Sequence, residues 1–166
     1  MARRVYTLNC SGVTVANQAV TLAFLNPSAT CGFEILRVLV SQRTTIVPPA
    51  SAMQAIQLSS QVTAFPTLVS ATPAPHVIGA PASQIAGGTT GAAGTAGVNA
   101  SAEGAGAKTV IIADTFNVLN GWQWVATPDE RIECEAGAAA GFGVHLPVAP
   151  ILLTGWTCMV TYVEGG

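Results

Sequence analysis

Every apolar stretch of this chain is short. Half of its 166 residues are hydrophobic, yet no apolar run reaches the roughly 18–20 residues that a membrane-spanning helix requires. Apolar residues instead alternate with polar ones, in runs cut by Gly, Pro, Asn and Ser. A period of two is the pattern of a strand with one face buried, and the cutting residues are those that make turns. The chain is therefore confined to all-β architectures.

The strands can be read in order. Arg4 to Leu8 opens as an alternating strand, with a turn expected near Ser11-Gly12 and a continuation over Val13 to Val15. Ala19 to Leu25 is a second, closed by the turn cluster Asn26-Pro27-Ser28. Phe33 to Val40 is apolar on both sides, which predicts a central strand. Its Glu34 and Arg37 fall on opposite faces if the strand is regular. Met53 to Val62 alternates as a fourth strand; Gln54 to Leu58 would also suit a short helix, but Ser59, Ser60, Val62 and Thr63, which follow, favour the strand. Later strands are expected at Thr109 to Ala113, Phe116 to Val118, Trp122 to Val125, Arg131 to Glu135, Phe142 to Leu146 and Ile151 to Val163. Asn120-Gly121 is a hairpin-type turn dipeptide. Thr127-Pro128-Asp129-Glu130 reads as a single capped turn. About eight strands with one long excursion predict a jelly-roll-like antiparallel β-sandwich, a single domain over residues 1–166.

The excursion is residues 66–107. Pro66, Pro73, Pro75 and Pro81 exclude a central strand from its first half. Gly79 to Ala107 is almost all Gly, Ala, Thr and Ser, which buries little apolar area per residue ordered. The expectation is a long Pro/Gly/Ala-rich loop or arm.

Charge narrows the function. Only 8% of the residues are Asp, Glu, Lys or Arg, against roughly 25% in an ordinary soluble domain. So little charge suits a surface that is covered on assembly. The net charge of −2 carries no field to draw in nucleic acid, and neither nucleic acid nor membrane is expected as a partner. The residues after Arg3-Arg4 alternate rather than form a solid apolar block, so no secretory leader is read there. Synthesis in a cytoplasm is expected, with Cys10, Cys31, Cys134 and Cys158 as reduced thiols without zinc-type spacing.

Nothing in the sequence spells catalysis. His76 lies in the Pro-rich segment and His145 among apolar strand neighbours; no closely spaced histidines suggest a cupin-type metal centre. Asp129, Glu130, Glu133 and Glu135 surround Arg131 and read as a solvated strand edge. Trp122, Trp124 and Trp156 read as core or interface anchors rather than a sugar platform. No catalytic residue, metal or cofactor is expected.

The C-terminal third carries a resemblance. DTFNVLNGWQWVATPDERIECEAG, then HLPVAP and LTGWTCMVTYVEGG, resembles small proteins encoded in the structural gene clusters of tailed phages and prophages. The shared features are Phe116-Asn117, Gly121-Trp122, Pro128 with Glu130-Arg131, Ala149-Pro150 and a closing strand ending in Glu164. It extends weakly to YTLNCSGVTV and FEILRVLVSQ. It implies a virion protein of the capsid cement or decoration type, with a jelly-roll head, often trimeric, on the capsid exterior. The implied partners are the major capsid protein and copies of the chain itself. The alternative is a receptor- or glycan-binding head of a phage fibre or tail. Contact residues are expected at the N-terminal Arg3 and Arg4 and along the arm, at Pro73, His76, Gly88, Gly91, Gly94 and Gly97.

Overall fold

Strands form where the alternation places them, and the tertiary pairing then sorts them into two sheets. A computed structural model describes residues 4–43, 48–50 and 52–165; these contain thirteen strands and no helix. The strands are β1 (Arg4–Val13), β2 (Val20–Leu25), β3 (Phe33–Gln42), β4 (Met53–Val62), β5 (Thr67–Ser70), β6 (Ala74–Pro75), β7 (Ala86–Gly87), β8 (Thr95–Ala102), β9 (Lys108–Asn117), β10 (Trp122–Val125), β11 (Ile132–Cys134), β12 (Ala140–Leu146) and β13 (Trp156–Glu164).

Eight of them make the frame. One sheet has the order β10-β3-β13-β1, the other β2-β12-β4-β9, and every pairing among these is antiparallel. Consecutive frame strands lie in alternate sheets except β4 and β9, which pair with each other, and this is the strand order of a jelly roll. The expected sandwich is what the chain builds. Its core lies between the inner faces, where Leu8, Ile35, Val38, Leu58, Phe142, Val144, Trp156, Val160 and Tyr162 are fully buried.

Two local readings change. β1 extends to Val13, and at Ser11-Gly12, where a turn is expected, its register on β13 shifts and Gly12 takes φ +67°. Glu34 and Arg37 share a face rather than opposing one another. The register on β13 jumps between Tyr162↔Ile35 and Thr161↔Arg37, which leaves Leu36 as an extra residue. One extra residue inverts the parity of everything beyond it.

The larger correction is residues 66–107. They are not a loose arm. β5 and β8 extend the second sheet beyond β2, β7 pairs with β8, and β6 adds to the first sheet beyond β1. Ala96, Val98 and Ala100 of β8 are buried, and Ile85 is fully buried between the additions. The segment thus closes the side of the sandwich between β1 and β2. Its small residues are there because backbone packs on backbone. A Cβ on Gly106 would stand 2.0 Å from the Thr63 carbonyl oxygen, and one on Gly104 2.1 Å from that of Ala64.

Candidate interaction site

The inserted segment is held down by two carboxylates, the half-buried Glu103 from the segment itself and the buried Glu164 from the frame. Glu103, just after β8, accepts hydrogen bonds from the Thr21 backbone N–H and, at 2.8 Å, from Thr21 Oγ1 on β2. It also pairs with Lys108 Nζ on β9 and lies 3.2 Å from His145 Nδ1 on β12. Burial would push its carboxyl up, but hydrogen bonds from His145, Lys108 and Thr21 outweigh that and hold it at about 2. Glu164, at the end of β13, accepts from Ser83 Oγ and from the Gln84 N–H at 3.1 Å. Ser83 Oγ also meets the Tyr162 hydroxyl at 2.9 Å. Burial, only partly offset by the Ser83 hydrogen bond, pushes the Tyr162 hydroxyl well above its usual range.

The Glu103, His145 and Thr21 side chains superficially suggest a nucleophile with its base. Thr21 is buried, however, and its hydroxyl is already within reach of both Glu103 and His145. A nucleophile needs a substrate beside it and a base free to take its proton. Here the cluster ties four separate elements together, which is a fastening. Among the described residues, no three His, Cys, Asp or Glu side chains are grouped to hold a metal ion.

The residues expected to touch a partner fall in three groups. Arg3 lies outside the described residues. Arg4 is exposed at the start of β1, opposite Glu164 in register, and His76 is exposed with its Nε2 against Thr7 Oγ1. Pro73, Gly91 and Gly97 are buried within this chain, and Gly88 and Gly94 are half-buried. A Cβ on Gly97 would meet Leu68 Cβ at 2.6 Å, and one on Gly91 would meet Phe65 Cβ at 2.7 Å. Gly91 and Gly97 thus serve internal packing, while Gly88 and Gly94 keep part of their surface.

Two apolar features are exposed instead. The first is a projecting turn after β6, closed by the Ala80 N–H donating to the Val77 carbonyl at 3.0 Å. It carries Val77, 69% exposed, and Ile78, fully exposed. Gly79 takes φ +82° there, a conformation that suits glycine. The second feature lies on the opposite side of the sandwich, where β9 and β10 are outermost in their sheets. Val110, Ile111 and Val125 are 44%, 47% and 53% exposed along it, with Leu119 in the connecting turn. Trp122 Nε1 donates to Asp114 Oδ2 at 2.9 Å and ties the two edges together.

Sequence reading missed both features. Val110 and Ile111 sit in an apolar run that reads as buried, since nothing local says that the strand is outermost. Val77-Ile78, between Pro75 and Gly79, was visible as two aliphatics inside a turn. The tryptophans are placed as expected. Trp122 and Trp124 share one face and pack half-buried against the core, and Trp156 is fully buried. Asp129, Glu130, Glu133 and Glu135 are exposed, while Arg131 turns away to Glu34 at 2.9 Å. No protein-family model, curated protein or solved structure matches the chain.

Proposed function

We propose that this chain is a virion structural protein, a cement or decoration protein that binds and stabilises the assembled capsid of a tailed phage. The observation that carries the reading is a nearly uncharged jelly roll with exposed aliphatic residues on two opposite sides. It agrees with the resemblance in the C-terminal third.

Those two sides also support self-association. The Val77-Ile78 turn and the β9–β10 side are different patches, so one docking into the other is head-to-tail rather than two-fold. Head-to-tail contacts that close give rings, and the resemblance favours three copies. Several weak capsid contacts tied together in a ring bind far more tightly than one.

Density-gradient fractionation of native particles, with mass spectrometry on each fraction, tests the function. Many copies travelling with intact capsids are expected. A chain that stays at the top of the gradient defeats the proposal, and a few copies per particle point to a tail or fibre. The rival glycan-binding head needs exposed ring faces. Trp156 offers none, and Trp122 and Trp124 are half-buried against the core, beside their ladder partners Val40 and Val38.

A further inference from the structure

Cys10 on β1 and Cys158 on β13 are direct partners in an antiparallel register. Opposed residues in such a ladder have Cα atoms roughly 4.5–5.5 Å apart, and a disulfide spans Cα separations of roughly 4.4–6.8 Å. Partners across a ladder also point to the same face, here the inner one. Both are free and buried. The other two cysteines lack this relation: Cys134 stands opposite Phe33, and Cys31 precedes β3.

Access to the pair is uneven. β6 covers the outer edge of β1 only at Tyr6 and Thr7, which leaves the edge at Cys10 without that cover. The register shifts just beyond Cys10, and Ser11 and Gly12 are exposed. Cys10 is therefore the thiol a small oxidant reaches first, when this end of β1 frays. Cys158 follows from within.

We propose that Cys10 and Cys158 are a latent cross-strand disulfide, open in a reducing cytoplasm and closed once the protein meets a small-molecule disulfide such as oxidised glutathione. The Cys10 thiolate attacks that disulfide, forming a mixed disulfide and releasing one glutathione thiolate. The Cys158 thiolate then attacks the Cys10 sulfur, closing the protein disulfide and releasing the second. Two protein thiols are oxidised, one glutathione disulfide is reduced, and the two thiol protons pass to the two leaving thiolates. Burial pushes both protein thiols up, so closure is slow at neutral pH and quickens as pH rises. The bond joins the first and last strands of the frame and closes a loop over most of the chain.

The test is to incubate the folded chain with oxidised glutathione, quench it in acid, denature it, alkylate free thiols and map the labels by mass spectrometry. Expected are labels on Cys31 and Cys134 only, with Cys10 and Cys158 peptides joined and lighter by two hydrogens. The oxidised protein should melt higher by roughly 5–15 °C. Cys10→Ala should abolish both effects and Cys31→Ala neither. If Cys10→Ala does not fold, the wild-type label map decides alone. Labels on all four cysteines, or a crosslink through Cys31 or Cys134, overturns the proposal.

Discussion

Glu103 shows how one side chain can decide the fate of a long segment. It is the only charged residue between Arg43 and Lys108, and it bonds to β2 and faces β9 and β12. Its carboxyl titrates near 4.5 when unfolded and at about 2 when folded. A depressed carboxyl stabilises the fold above its unfolded value, and that contribution fades as pH falls from about 4.5 toward 2. Glu103→Gln should cost about 1–3 kcal/mol at pH 7. Urea denaturation midpoints should show the gap to wild type narrowing at pH 3. The glycines set a complementary constraint. Gly106→Ala would drive a Cβ into the Thr63 backbone oxygen, and a main-chain atom has no rotamer in which to yield. A loss of about 1–3 kcal/mol is expected, read as a lower melting temperature by calorimetry. The sequence shows that glycines crowd this segment; which of them face a neighbouring backbone depends on where the segment crosses itself.

At the scale of elements, residues 66–107 behave as part of the sandwich. β8 contributes buried residues to the core, and Ile85, just before β7, is fully buried in the same core. Deleting Gly79 to Ala107 would uncover Leu22, Phe24 and Tyr6, so the variant should be insoluble or molten, seen as lost near-ultraviolet circular dichroism. A detachable arm would instead leave a folded head. Frame strands such as Phe33 to Val40 and Phe142 to Leu146 were legible because each carries its own periodic apolar face. β8 was not legible, because Thr-Ala-Gly-Val-Asn-Ala-Ser-Ala has almost no face of its own. It becomes a strand only because β2 and β5 offer it partners. Likewise the parity of Glu34 and Arg37 turned on one bulge that no local signal announces.

At the scale of the whole molecule, the side between β1 and β2 is sealed and the side between β9 and β10 is open. Ile78→Asp and Ile111→Asp each place a charge in a proposed subunit contact without touching the core. Each should convert the proposed oligomer to a monomer in size-exclusion chromatography with light scattering, while leaving the melting temperature of the monomer unchanged. An unaltered oligomer in both variants would remove these surfaces from the assembly. The sequence by itself determined that this protein is built of strands, where most of them lie, and that it carries far less charge than an ordinary soluble domain. Those properties are carried by local period and by composition, which each stretch of chain holds independently. Only the tertiary structure decided that the Gly/Ala segment is part of the sandwich, that β9 is an exposed edge, that Cys10 faces Cys158, and that Gly91 and Gly97 are buried. Each of these is a relation between residues far apart in the chain, and a strand's partner, unlike its period, is written in no single stretch.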